Sequence, residues 1–96
     1  MKLKEKVTSL PLTPGVYLMK DSLGHIIYVG KAKNLKRRVK SYFQQSKAHP
    51  QKIKKMVANL DDFDYVLTDT EFEAFLLECK LIKELKPHFN KKMKSP

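Results

Sequence analysis

A chain of 96 residues suits one domain with one modest core, and an apolar content of 42% lets it fold with little margin. Lysine plus arginine number 20 against 10 acidic residues, a formal net charge of +10, which favours a polyanion as partner, nucleic acid ahead of a membrane surface. No run approaches the ~20 apolar residues of a membrane span, no amino-terminal apolar core suggests a signal peptide, and the single cysteine, Cys79, excludes an internal disulfide, argues against zinc and fits a reducing cytoplasm.

Lys2 to Leu10 carries Leu3, Val7 and Leu10 at helical spacing and predicts a short amphipathic helix, stopped by Pro11 and Pro14. Two β-rich runs follow, Val16–Met19 and Ile26–Val29. They flank Asp21-Ser22-Leu23-Gly24, which has turn chemistry, so an antiparallel hairpin is expected. With the turn centred between Ser22 and Leu23, Tyr17 stands opposite Tyr28, and opposed residues share one face of a sheet. Asn34 is a good helix cap ahead of Leu35, Val39, Tyr42 and Phe43, in a helix ending near Gln44. QQSKAHPQ is a polar linker. Gln51 to Leu60 predicts another helix, with Ile53, Met56, Val57 and Leu60 as its apolar side. DDFDYVLTDT alternates through Phe63, Tyr65 and Leu67 and predicts a third strand. Glu71 to Lys86 is the longest helical run, closed by Pro87, and NKKMKSP is a basic tail. The expected fold class is α+β, one domain over residues 1–96. It is a small three-stranded antiparallel or mixed β-sheet flanked by helices.

Two places promise chemistry. On a helical wheel of the last helix, Ala74, Phe75, Leu81, Ile82 and Leu85 fall within about 60° of Glu78, with Glu71 its only polar companion there. A carboxylate facing a core is costly unless paired or bound to a cation. Two readings stand: a half-buried glutamate bridged to a lysine or arginine, or a metal ligand at the edge of the core. The second place is the end of the hairpin. A strand ending at Gly30 lets a backbone or a phosphate approach, Lys31 emerges just past it, and Arg38 and Tyr42 share a helical face. Tyr17 and Tyr28 are otherwise ordinary core tyrosines. Lys33, Lys36, Arg37 and Lys40 form either a solvated face or a surface that tracks a phosphate backbone. Phosphodiester hydrolysis needs a base, charge balance at phosphorus and a stabilised leaving oxygen. Arg38 and Lys31 would pull the Tyr28 phenol down from its usual pKa near 10 and grip phosphate.

Gly15-Val16-Tyr17 and Tyr28-Val29-Gly30 resemble the paired signature of the GIY-YIG nucleases. The longer strings YVGKAKNLKRRVKSYF and LLECKLIKELKPHFN resemble, in order and spacing, the amino-terminal catalytic domains of bacterial excinuclease C subunits. The resemblance implies a divalent-metal-dependent endonuclease domain that cuts one DNA strand, as in the 3′ incision of nucleotide excision repair. It implies Tyr28 as general base, Tyr17 lining the site, Lys31 placing the nucleophile or phosphate, Arg38 stabilising the transition state, and Tyr42 and Asn90 completing the pocket. Glu78 would bind one divalent cation, Mg2+ or Mn2+. Lys31, Lys33, Lys36, Arg37 and Lys40 would contact DNA. The implied partners are double-stranded, damaged DNA and the damage-recognition subunit of the excinuclease, with the domain a cytoplasmic monomer that binds no membrane. After Asn90 the family chain continues into further domains, so an excised domain or a free-standing relative is expected. Phe89 replaces a tyrosine often seen beside that asparagine. Cys79 is expected as a buried small hydrophobe, and His25, His49 and His88 as surface residues. Two alternatives remain open: a basic module that binds nucleic acid or a repair partner and cuts nothing, and a GIY-YIG nuclease outside excision repair.

Overall fold

The computed structural model of the chain describes residues 3–44 and 49–93. Lys2, the first residue of the first expected helix, and parts of the expected linker and basic tail, at 45–48 and 94–96, lie outside the described residues. Strands β1 (Gly15–Lys20), β2 (Ile26–Ala32) and β3 (Asp62–Leu67) form one antiparallel sheet in the order β2-β1-β3. The hairpin therefore puts β2 at one edge, and β2 runs past its predicted end through Gly30 and Lys31 to Ala32.

The hairpin register differs from the expected one, for two local reasons. The Asp21 carboxylate accepts from the N–H groups of Leu23 and His25 at 3.0 and 2.9 Å, and the Gly24 N–H donates to the Asp21 carbonyl. Gly24 takes φ +83°, the left-handed position that lets a three-residue loop close a hairpin. A second irregularity follows where the register shifts between Met19 and Lys20, so that Lys20 pairs Ile26 while Met19 pairs Tyr28. Each device adds one residue to the second strand. Together they move the pairing by two, and Tyr17 stands opposite Gly30, not Tyr28. Because the shift is even, Tyr17 and Tyr28 still share a face.

That face carries most of the core. Tyr17, Met19 and Phe63 pack there against Val7 of α1 (Leu3–Thr8), Leu35 and Val39 of α2 (Leu35–Tyr42), and Met56 of α3 (Gln51–Asn59). Phe89 of α5 (His88–Met93) joins them. Asn34 caps α2 as expected, its side chain accepting from the Arg37 N–H. The Lys6 ammonium ties α1 to the sheet: it donates to Asp62 at 2.9 Å and to the Phe63 carbonyl, and lies 4.9 Å from the Phe63 ring.

The opposite face is covered by α4 (Glu71–Leu85), where Val16 and Val29 meet Ala74, Leu77, Leu81 and Ile82. The buried stripe of α4 is thus centred near Ala74, not Glu78. Phe75, about 100° round from Ala74, is left 44% exposed, and Leu85 in the last turn is 45% exposed. Cys79 is exposed, against the expectation of burial. His25 and His88 are at the surface, but His49 is half-buried and its Nε2 donates to the Ser41 carbonyl at 2.9 Å. Pro87 closes α4 as expected, but a further helix follows it. Lys86 adopts a left-handed conformation (φ 46°), its N–H closing α4 on the Ile82 carbonyl, and α5 follows the buried Pro87. Among the described residues no helix is long and apolar enough to cross a membrane.

Candidate active site

An edge strand has backbone groups that need partners. On β2 they are supplied by side chains. The Val29 N–H donates to Asn90 Oδ1 at 2.8 Å, and Asn90 Nδ2 donates back to the Val29 carbonyl at 2.9 Å. Two residues along, the Lys31 N–H donates to Glu78 Oε2 at 2.9 Å. Helices α4 and α5 therefore seal the edge through one carboxylate and one amide, and both side chains are held at the end of the hairpin.

Gly30 sits between these two contacts and across from Tyr17. A Cβ at Gly30 would lie 2.3 Å from the Tyr17 hydroxyl and 2.4 Å from its ring. Only glycine lets that ring lie across β2. It meets Tyr28 and Tyr42 there, with ring centroids 6.2 and 5.7 Å away, while Tyr28 and Tyr42 are 6.5 Å apart. The Tyr17 and Tyr42 hydroxyls are hydrogen-bonded at 2.6 Å in the core. Tyr17 is fully buried and Tyr28 half-buried, so Tyr28 is the member of the cluster that reaches the open side.

The electrostatics reverse one expectation. Burial pushes the Tyr28 phenol well above its ordinary pKa; Tyr42 and the Glu78 carboxylate push it further, and Arg38 alone opposes them. Burial likewise raises Tyr17, again with Arg38 opposing. Lys31 is not among the groups that act on Tyr28: Tyr28 and Gly30 alternate onto the tyrosine face, while Lys31 alternates with Val29 onto the face that α4 covers. The predicted lowering of Tyr28 by two cations is corrected to a rise that one guanidinium partly offsets. Glu78 and Arg38 thus act on the Tyr28 phenol in opposite senses.

Glu78 is half-buried, as its position beside the apolar stripe implied. The bridge to a lysine or arginine is not found: among the described residues Glu78 forms no ion pair, and its hydrogen-bond donor is a backbone N–H. Among the same residues no group of three or more His, Cys, Asp or Glu side chains is gathered for a metal. A lone carboxylate with the remaining shell left to water and phosphate oxygens suits a hard cation such as magnesium.

The basic residues separate. Lys31, Lys33, Arg37 and Arg38 line a groove of about 580 Å³ together with Asn34 and Glu71. Lys36 and Lys40 face a different hollow, of about 370 Å³, with Lys4, Val7 and Phe43. Glu71 in the groove was not assigned a role from the sequence, although its place on the wheel beside Glu78 was the available signal. Lys4 carried no signal, because only the packing of α1 on α2 brings it to Lys36.

Residues 13–91 match the model of the UvrC-like GIY-YIG domain. The chain belongs to the UvrC-like GIY-YIG family. Among its relatives is the UvrABC system protein C of Caldanaerobacter subterraneus subsp. tengcongensis, 58% identical over 90 residues that cover 94% of this chain and 15% of that protein. The protein of the same name from Clostridium botulinum is 56% identical over 88 residues, 92% of this chain and 14% of that protein. The chain thus spans about one-seventh of the curated relatives it matches. Among solved structures, the GIY-YIG N-terminal endonuclease domain of UvrC from Thermotoga maritima, bound to its catalytic divalent cation, magnesium, is similar with a TM-score of 0.80. That likeness has 35% identity and covers 93% of this chain and 98% of that one. In this UvrC-like GIY-YIG domain the two signature tripeptides lie in β1 and β2, and the tyrosine of the first rests on the glycine of the second.

Proposed function

We propose that this chain is a divalent-metal-dependent DNA endonuclease domain that hydrolyses a phosphodiester bond in one strand. We place it as the 3′-incision domain of bacterial nucleotide excision repair, acting on damaged duplex DNA with the damage-recognition subunit of the excinuclease. The observation that carries the reading is that Tyr28, packed with Tyr17 and Tyr42, lies on the same stretch of β2 whose Lys31 N–H is held by the Glu78 carboxylate, with Arg38 lining the groove that Lys31 enters.

Glu78 is the residue to hold one Mg2+ or Mn2+, which when bound supplies positive charge to the phosphate and the leaving oxygen. Tyr28 accepts the proton of the attacking water as the phenolate, its own proton having first passed to solvent. Its raised pKa means that the phenol is neutral until positive charge is brought close, so Tyr28 and Glu78 act as one unit. Arg38 stabilises the charge that develops at phosphorus and offsets the rise at Tyr28. Tyr42, bonded to Tyr17, fixes the tyrosine cluster, and Asn90 holds β2 beside it. Lys31 and the groove residues take the backbone of the cut strand.

The test is relaxation of supercoiled plasmid in magnesium or manganese, with and without the damage-recognition subunit. The parent chain is expected to nick, while Tyr28→Phe binds DNA equally well and nicks at least ~100-fold more slowly, the usual scale for losing a general base. Undiminished nicking by Tyr28→Phe removes the phenol from the mechanism. A parent chain that binds duplex DNA and never nicks, whether or not the damage-recognition subunit is added, leaves the binding-module reading in its place.

A further inference from the structure

The groove beside the site holds two chemistries. Lys31 and Lys33 enter it from the end of β2, and Arg37 and Arg38 from α2. None of the four forms an ion pair among the described residues. Four unpartnered cations suit more than one phosphate. The rest of the lining does not suit phosphate. Glu71 comes from α4, one heptad before Glu78 and hence about 10 Å from it along the helix. A carboxylate repels phosphate oxygens and accepts hydrogen bonds. Leu12, 67% exposed, adds an apolar lip. An acceptor and an aliphatic side chain facing a cationic wall match the two ends of a nucleotide, its base and its phosphate. The volume of about 580 Å³ lies within the range of small-ligand sites.

We propose that this groove is a nucleotide subsite next to the cleavage site: Lys33 and Arg37 hold the phosphate flanking the scissile one, and Glu71 accepts from the exocyclic amine of the attached base. Its place beside a cleavage site rests on the nuclease reading above; its occupancy by a nucleotide does not. Cytosine, adenine and guanine carry an exocyclic amine and thymine carries none. The subsite therefore disfavours thymine, and Glu71, not the lysines, imposes the difference. Lys36 and Lys40, on the other side of α2, take no part.

The experiment titrates the 15N-labelled chain, free of divalent metal, with the 5′-phosphorylated dinucleotides p-dT-dC and p-dT-dT. Amide shifts are expected at Lys33, Arg37 and Glu71, with p-dT-dC binding at least ~3-fold more tightly, as one hydrogen-bonded base edge provides. Glu71→Gln, whose side chain both donates and accepts, is expected to bring the two ligands within about 2-fold, and Arg37→Gln to weaken both by about 5-fold or more. Both substituted residues are exposed, so both variants fold. Shifts centred on Lys36 and Lys40, no saturable shift, or equal affinity of the parent for the two dinucleotides overturns the proposal. No bond is cut in this assay, so its failure leaves the nuclease reading standing, and a chain that binds here but never nicks fails that reading alone.

Discussion

Tyr17 and Tyr28 show how one residue type acquires two roles from two environments. Both phenols are raised by burial and by Tyr42, but only Tyr28 is reached by the Glu78 carboxylate, and Tyr17 is held in the core by its 2.6 Å hydrogen bond to the Tyr42 hydroxyl. The shifts carry a stability consequence. A phenol raised in the folded chain ionises first in the unfolded one, so between the two pKa values the folded state holds more protons. Stability from Tyr17 and Tyr28 is therefore whole below the ordinary phenol pKa of 10.0 and is lost as pH rises above it. Each of the two contributes a slope of up to about 1.4 kcal/mol per pH unit in that window. Urea denaturation followed by circular dichroism from pH 8 to 11 checks this, with Tyr17→Phe isolating one tyrosine from the many lysines that also titrate. The parent is expected to lose stability above pH 10 more steeply than Tyr17→Phe; parallel curves would mean that burial of Tyr17 does not favour its neutral form.

The elements were legible where hydrophobic period alone decides them. The hairpin strands, α2 with its Asn34 cap, α3, β3 and α4 lie close to where alternation and helical spacing put them. What period does not encode is the count of residues in a turn. The left-handed Gly24 and the register shift at Lys20 changed the partner of Tyr17, yet the shared face survived because two one-residue slips restore parity. Helix α5 was hidden because a proline after a long helix reads as a stop, whereas Lys86 turns left-handed and Pro87 starts a new helix. That hidden element brings Asn90 to Val29. Its removal has a direct cost, since two buried backbone groups on an edge strand lose their partners. Asn90→Ala is expected to destabilise the chain by about 1–3 kcal/mol in urea and to speed amide exchange at Val29 while β1 stays protected. Unchanged exchange at Val29 would show that the amide side chain is not what closes the edge.

At the scale of the molecule, charge is distributed by the fold and not by the order of residues along the chain. The lysine-acid pairs among the described residues, Lys6 with Asp62 and Lys20 with Asp64, lie where α1 and β1 meet β3. Among the same residues the basic run after Gly30 has no such partners, and α2 divides it into a groove face and an opposite face. A net charge of +10 thus reaches a polyanion mainly through unpaired cations, those of the groove placed beside the tyrosine site. Each phosphate neutralised releases counterions, so the logarithm of affinity should fall with the logarithm of salt at a slope of about −0.9 per contact. Occupation of Lys31, Lys33, Arg37 and Arg38 corresponds to a slope of about −3 to −4 for duplex DNA, measured by fluorescence anisotropy between roughly 50 and 200 mM salt. Lys33→Gln and Arg37→Gln are each expected to make the slope shallower by about one. Lys36→Gln and Lys40→Gln are expected to change it less, because their side of α2 turns away from the groove. Equal losses from the two faces would mean that duplex DNA wraps α2 from both sides, and a flat salt response would remove phosphate contacts as the source of affinity.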